Sequence, residues 1–360
     1  MAKWDKEYLK LCKKILEEGR EVKNRTGVNT IKIPSYNFHF DLEEEFPILT
    51  TKQLFFRNAI TEILWIWQAQ SNDVNWLHER NNHIWDEWII DEDGIYRTYR
   101  KEKIYDNNID FEHKESNGDI YVDEEVDLYG LDGKRVFDKS GKLITVKAYG
   151  DDGKIKTKIS EDGTPYKEAN IITSAKYFGE DYAGTIGTAY GYIVNKYRLA
   201  DFIINDINKN PNNRRRVASL WQNRDLEGGV LEPCVWATEW DVTGDHLNLL
   251  VHQRSCDVPL GLPFNVTQYA VLLSLIAQVT GKKPGTIDWS IKDAHIYVNQ
   301  IKGIKKQIER GETLEDLPAP ELWINPEIDN FYNFDNSKEL KDIKVRKYKH
   351  HGKISFPISQ

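Results

Sequence analysis

The chain has 360 residues, 40% of them hydrophobic and 12% aromatic, with neither a long apolar run nor a signal-like start, so a globular, soluble and cytoplasmic protein is expected. Its net charge of -8 excludes general binding to DNA or RNA backbones, although a few local arginines can still hold one phosphate. Three cysteines, Cys12, Cys234 and Cys256, contain no C-x-x-C pair, which excludes a disulfide framework and a zinc knuckle and leaves chemistry or packing as their use.

Residues 4–18 place Leu9, Leu11, Cys12, Ile15 and Leu16 near helical spacing, with Gly19 as a stop, and predict an amphipathic helix. From Thr30 to Leu42 the alternation of Ile31, Ile33, Phe38 and Phe40 predicts a strand broken at Pro34. Residues 57–70 read as a strongly apolar helix with one carboxylate inside it, Glu62. Over residues 92–182 charge rises and the turn pairs Asp132-Gly133, Ser140-Gly141, Asp152-Gly153 and Asp162-Gly163 recur, which predicts an inserted set of β-hairpins. The apolar pattern then returns with a helix near 197–209 and strands over 215–222, 234–243 and 246–256. Pro263 opens and Gly281 closes a helix apolar on most sides and therefore central; a strand over 287–298 and a helix near 299–310 follow. The sum is an α+β chain. Residues 1–91 and 183–360 form one large domain, with a mixed, mainly antiparallel sheet against buried helices, and 92–182 form a smaller inserted subdomain.

Cys234 opens a predicted strand in LEPCVWATEW, where it is either a buried structural cysteine or a nucleophile. A nucleophile needs cations that favour thiolate, and Arg214, Arg215, Arg216 and Arg254 supply them. The arginine triplet runs straight into the apolar VASLW, so at least one guanidinium starts a buried strand and needs an anionic partner, for which a phosphate would serve. Arg254, Ser255 and Asp257 bring a fork donor, a hydroxyl and a carboxylate to one loop, and Asn265 in the next helix is either its cap or a ligand reader. Asp293, His295, Tyr297 and Asn299 alternate along a strand and form either a solvent face or a polar wall of a cleft. Trp85 and Trp88, flanking Asp86 and Glu87, are either core or a stacking surface for a flat heterocycle.

These segments together resemble the thymidylate synthase family, in the same order and over nearly the whole chain. The resemblance is carried by NRTG (24–27), FPILTTK (46–52), HIWDEW (83–88), GTAYG (187–191), RRR (214–216), EPC (232–234), QRSCDVPLGLPFN (253–265), DAHIY (293–297) and APELWINP (319–326). It implies a homodimer joined through its sheet, with dUMP and a reduced folate, 5,10-methylenetetrahydrofolate, as ligands, and no metal, membrane or DNA. Cys234 would attack carbon 6 of the uracil. Arg25, Arg215, Arg254 and Ser255 would hold the phosphate, with Arg214 and Arg215 reaching across from the partner subunit. Asn265, with Gln253 nearby, would read the uracil edge, and His295 and Tyr297 would hold the 3′-hydroxyl. Glu62 would shuttle protons with ordered water, and Tyr190 would assist near Cys234. Asp257 would bond the pterin, while Ile84, Trp85, Trp88, Gly261 and Phe264 would surround it and Lys52 would meet the glutamate tail.

Two features depart from the family pattern. Val235 stands where many members have histidine, as in a Bacillus-like branch of the family. The family's apolar carboxy-terminal seal is represented here by Pro357, Ile358, Ser359 and Gln360, and a leaking seal would admit water and give a dUMP hydroxymethylase instead. Asn265 argues against a dCMP substrate, and the mixed-charge insertion argues against RNA binding.

Overall fold

The computed structural model describes residues 1–24, 26–105, 125–137, 140, 142–147, 157–159 and 165–358. Arg25, Gly141, Asp152-Gly153, Asp162-Gly163, Ser359 and Gln360, each singled out above, lie outside the described residues. Two compact units appear, one made of Met1–Glu87 with Thr188–Ser359 and the other of Trp88–Gly187.

In the first unit helix α1 (Lys3–Glu18) leads through β1 (Arg20–Val22) into β2 (Thr30–Asp41), and helices α2 (Phe56–Trp67) and α3 (Asn75–His78) follow. Strands β3 (Ile95–Tyr105), β4 (Glu125–Tyr129), β5 (Thr145–Lys147), β6 (Thr157–Ile159) and β7 (Pro165–Tyr177) belong to the second unit. The first unit resumes with α4 (Gly191–Lys196), α5 (Leu199–Lys209), β8 (Val217–Ser219), β9 (Val235–Thr243), β10 (His246–Gln253), β11 (Cys256–Asp257) and α6 (Gly261–Val279). It closes with β12 (Lys283–Tyr297), α7 (Ile301–Thr313), β13 (Glu321–Ile324) and β14 (Ile343–Arg346).

The main sheet has the order β1-β2-β12-β10-β9-β8, with β11 also on β12. Its pairs are antiparallel except for β10 and β11, which run parallel to β12, so the sheet is mixed and mainly antiparallel. Alternate residues Val235, Ala237, Leu247, Leu249, Val251, Ile287, Trp289 and Ile291 are buried, and α6 packs against β10 and β12 on one side and α2 on the other. Among the described residues α6 is the helix long and apolar enough to cross a membrane, but 78% of its apolar window is buried inside the protein, so its composition follows from its central place.

Strand β2 is not broken at Pro34. It pairs with β12 on both sides of Pro34, from Thr30 to Ile33 and from Ser35 to Asp41, while β1 reaches only Lys32, so Pro34 lies on a stretch with one edge open, where a missing N–H is tolerated. Opposite it, Asp293 takes φ 49°, a local kink in β12 that accommodates the gap in the ladder.

The arginine triplet is resolved by burial. Arg216 is 1% exposed and donates through Nε to Asp206 at 2.7 Å and through Nη2 to the Asn210 and Pro211 carbonyls at 2.5 and 2.7 Å. Its anionic partner is therefore the carboxylate of Asp206 on α5, not a ligand phosphate, and Arg214 and Arg215 stay exposed.

The second unit is a small sheet in which β7 pairs with β3 and β6 antiparallel and with β4 parallel, and β4 carries β5. The described strands differ from a run of successive hairpins, because the long β3–β7 pair joins the two ends of the segment. Asp132-Gly133 does form a turn, with Gly133 at φ 72° and Gly130 N bonded to the Lys134 carbonyl at 2.8 Å. A cluster of Ile95, Leu128 and Ala175, with Val136 and Ile144 against it, is its core.

The Arg216–Asp206 pair gives a stability prediction. Burial pushes the Asp206 carboxyl up, but bonds from Asn213, Asn210 and Arg216 hold it below the ordinary 3.8. This stabilisation is complete above the ordinary value and lost as pH falls through the lowered one. Asp206→Asn, which leaves a buried guanidinium without its counter-charge, is expected to lower the unfolding free energy by about 3 kcal/mol at neutral pH. Urea denaturation at pH 7 and in acid checks this: the difference should shrink in acid, and equal stability at pH 7 would remove the pair from the fold's supports.

Candidate active site

Cys234 precedes β9 at an intermediate depth and is not disulfide-bonded. Its backbone N–H donates to the Tyr190 hydroxyl at 3.0 Å, and its carbonyl accepts from Arg254 N at 2.8 Å. Arg254 adds side-chain bonds to the carbonyls of Pro233 at 3.0 Å and Glu232 at 2.6 Å, so one guanidinium holds the segment that presents the thiol. Its own ring neighbour is Trp221, 5.6 Å from the guanidinium carbon.

Tyr190 sits at φ 44°, a costly conformation for a side-chain-bearing residue, at the start of α4. The next residue explains the tight turn: a Cβ on Gly191 would lie 1.9 Å from the Ser71 carbonyl oxygen. Burial, and then the nearby Cys234, push the Tyr190 phenol well above its usual range, so it remains a neutral hydrogen-bonding group.

Glu62 projects from α2. Burial raises its carboxyl to about 7, against bonds from Trp85 Nε1, at 2.9 Å on Oε1, and from Gln268 Nε2 on Oε2. Trp85 is buried and packs edge-on to Tyr190 at 5.4 Å. The loop that carries it is clasped by Asp86, which takes His78 Nε2 at 2.7 Å and His83 Nδ1 at 3.0 Å. Ile84 is half-buried in the same loop, and Trp88 belongs to the second unit.

From Glu62 a line of side-chain amides runs across the unit. Gln268 Nε2 donates to Glu62, and its Oε1 accepts from Asn265 Nδ2 at 3.1 Å. Asn265 Oδ1 accepts from Gln253 Nε2 at 3.2 Å, and Gln253 Oε1 accepts from Trp289 Nε1 at 2.9 Å. Indole N–H only donates and carboxylate only accepts, so every amide between them has a fixed orientation. Asn265 lies within α6 rather than at its cap. Gln268, with no charge and no motif to mark it, escaped the sequence reading; its place one helical turn after Asn265 was the available signal.

Asp257 accepts from Leu260 N at 3.1 Å and from Gln300 Nε2 at 3.1 Å, and burial pushes its carboxyl up. Lys52 does not point outward, because Asp5, fully buried in α1, accepts the backbone N–H and hydroxyl of both Thr50 and Thr51 at 2.7 to 3.0 Å and draws that loop inside. The Lys52 ammonium donates to the Pro259 carbonyl, and burial lowers it to about 8 despite the charge of Asp257. Gly261 offers a cradle, since a Cβ there would meet only Asn265 Oδ1, at 3.6 Å, and Phe264 is half-buried beyond it.

His295 and Tyr297 are buried near the end of β12, ring to ring at 5.2 Å, which excludes the solvent-face alternative for them. Asn299 is exposed beyond the strand's end at Tyr297 and does not extend that face. His295 Nδ1 meets Asp293 Oδ1 at 3.1 Å, and this bond, with Lys32 at 2.7 Å, holds the Asp293 carboxyl at about 2. Ser255 is half-buried between Arg254 and β11.

A cysteine linked through Tyr190 and Trp85 to a raised carboxylate, which is joined in turn to an oriented amide, matches the order of motifs in the sequence, and comparison with known proteins decides the family. The sequence profile described as Thymidylate synthase matches residues 6–360. The chain belongs to the thymidylate synthase family. It is 36% identical over 359 residues to the thymidylate synthase of Clostridium beijerinckii and 31% identical over 378 residues to thymidylate synthase 1 of Bacillus subtilis strain 168, covering all of each. The solved thermostable thymidylate synthase A from Bacillus subtilis is similar with a TM-score of 0.67 at 30% identity, over 99% of both chains. The chain is thus a methyltransferase whose co-substrate is 5,10-methylenetetrahydrofolate. The donor set fits that group: each Asp257 oxygen keeps lone pairs beyond its single bond, beside the open space at Gly261.

The two donors on Glu62 favour its ionised form, so removing either must raise its pKa above about 7. In Gln268→Leu the limb of the kcat–pH profile that reports Glu62 is expected to move up by about one unit, and in Trp85→Phe in the same direction. A limb that stays in place in both variants would take Glu62 out of the rate-determining proton transfer.

Proposed function

We propose that this enzyme converts dUMP to dTMP by reductive methylation, with 5,10-methylenetetrahydrofolate supplying the one-carbon unit and the hydride and leaving as dihydrofolate. The observation that carries the reading is the orientation of Asn265. With one lone pair given to Gln253 and one N–H to Gln268, it keeps one acceptor and one donor. A uracil edge offers the matching N3–H and O4, whereas cytosine offers the reverse and would leave both groups unpaired.

In this reading the Cys234 thiolate forms a bond to carbon 6 of uracil, and the ring π electrons move toward O4, where the Asn265 N–H meets the developing charge. Arg254 keeps the thiol segment in place and, with Arg25, Arg215 and Ser255, holds the phosphate. Glu62, near neutrality, passes protons to and from the ring through ordered water, with Tyr190 fixing the backbone at Cys234. Asp257 bonds the pterin within a wall of Ile84, Trp85, Gly261 and Phe264. His295, oriented by Asp293, and Tyr297 hold the 3′-hydroxyl. Lys52, now placed inside, serves as the buried cation beside Asp257 rather than a surface contact for the glutamate tail.

A homodimer joined through the sheet completes the proposal, with residues 1–91 and 183–360 as catalytic domain and 92–182 as an added subdomain. The sheet face that carries Trp236, Glu239, His252, Asp288 and His39 supports it: Trp236 is 36% exposed, and the histidines are paired across strands with Glu239 and Asp288 at 2.8 Å. Arg214 and Arg215 are exposed and available to the partner's phosphate site. Three cysteines outside any disulfide suit a reducing cytoplasm.

Product analysis tests the reaction. Purified enzyme with dUMP and 5,10-methylenetetrahydrofolate is expected to give dTMP and dihydrofolate in equal amounts; 5-hydroxymethyl-dUMP with tetrahydrofolate would make it a hydroxymethylase. Cys234→Ser is expected to lose turnover by about a thousandfold or more while dUMP affinity, measured by calorimetry, changes less than about threefold. Mixing Cys234→Ser with Arg215→Glu subunits should restore activity in the mixed dimer. An inactive mixture would place each site within one subunit.

A further inference from the structure

Gln300 is 1% exposed and ends the short 3-10 turn Val298–Gln300 that joins β12 to α7. All of its hydrogen-bonding groups are engaged. Oε1 accepts from the Tyr297 backbone N–H at 3.1 Å, and Nε2 donates both to Asp257 Oδ2 at 3.1 Å and to the Pro357 carbonyl at 3.1 Å. Because a backbone N–H can only donate, the Gln300 oxygen must face Tyr297, and its two N–H groups must face the two acceptors. The amide has no alternative orientation.

The segment held at Pro357 has a second attachment next door. The Phe356 ring lies 4.7 Å from the Lys52 ammonium and against Gly303 of α7, where a Cβ would approach ring carbon Cε1 to 2.5 Å. Lys52 is in turn electrostatically coupled to Asp257. Both attachments of the Phe356–Pro357 segment therefore lead to one carboxylate.

We infer that Gln300 is a positioning residue that ties the seating of the Phe356–Pro357 segment to the orientation of the Asp257 carboxylate. This rests on the reading of Asp257 as the pterin-facing group. If the segment lifts, a buried N–H of Gln300 loses its acceptor, and the amide must shift on Asp257 or recruit water. Coupling of this kind is reciprocal, so a ligand donor that steadies Asp257 also steadies the segment. Glutamine suits the role because it offers two donors and one acceptor on a single rigid plane; glutamate, once ionised, can only accept and would face Asp257 with like charge.

Hydrogen–deuterium exchange of the ligand-free enzyme reads the tether directly. In Gln300→Leu the peptide spanning residues 353–358 is expected to exchange about tenfold faster, the effect of one lost hydrogen bond, while the β13–β14 hairpin is unchanged. The KM for 5,10-methylenetetrahydrofolate should rise by a similar factor, with that for dUMP held. Gln300→Glu should behave like the leucine variant at pH 8 and recover part of the protection on acidification, since a protonated carboxyl regains one of the two donors. Gly303→Ala, which displaces Phe356 without touching Gln300, should reproduce the loosening if Gln300→Leu folds poorly. Exchange that is unchanged, or faster by the same factor throughout the chain, overturns the inference. A wild-type protein that makes no dTMP would instead sink the functional reading, whereas unmoved exchange in variants of an enzyme that does make dTMP would sink only the tether.

Discussion

The line of hydrogen bonds from Trp289 to Glu62 is the constraint on which the cleft depends. It crosses from Trp289 on β12, through Gln253 on β10, to the buried helix α6, and ends on α2, so four elements must be in register before the amides can pair. A donor-only indole at one end and a carboxylate at the other give the line a direction. That direction turns Asn265 from an ambiguous amide into one of fixed orientation. It also links two tasks: a change in the protonation of Glu62 alters what Gln268 must donate to, and Gln268 is what holds Asn265.

The same protein keeps carboxylates in opposite states by surroundings alone. Glu62 stands in an apolar helix with two neutral donors and is held at about 7, poised for proton transfer near neutral pH. Asp293, which meets His295 and Lys32, is held at about 2 and so remains an anion that can orient an imidazole. Asp5 takes four donors from Thr50 and Thr51 and serves only to shape a loop. No composition rule separates these three, since each is an acidic residue beside apolar neighbours; the partners decide, and the fold brings them from afar.

That is also why some of the molecule was legible in the sequence and some was not. Periodicity located α1, α2, α6, β9, β10 and β12 because burial of one face leaves a local trace. Glu62 stood out as one charge in an apolar helix, and Cys234, Asn265 and Asp257 stood in dense motifs. Gln268 and Gln300 leave no such trace, as neutral amides are at home on any surface, and their partners lie 206 and 43 residues away. The arginine triplet announced a buried guanidinium correctly but not its partner, because Asp206 sits on a separate helix. Pro34 misled for the opposite reason: its effect on a strand depends on which edge is paired, and that is set by where β1 ends.

The division of labour within the triplet constrains how a phosphate can be held. Arg216 is committed to Asp206 and to three backbone carbonyls and is buried, so it is withheld from a ligand. Its anchoring fixes the chain at the start of β8, and so determines where Arg214 and Arg215 emerge. Both emerge exposed. Arg254, meanwhile, spends Nε on the Pro233 carbonyl and Nη2 on the Glu232 carbonyl, which leaves part of a fork for an anion. A dianionic phosphate at that place is better matched by more than one guanidinium than by the remainder of the Arg254 fork alone. The triplet is therefore divided by burial: Arg216 builds the fold, while Arg214 and Arg215 keep their guanidiniums at the surface, where the two-subunit phosphate site proposed above would use them.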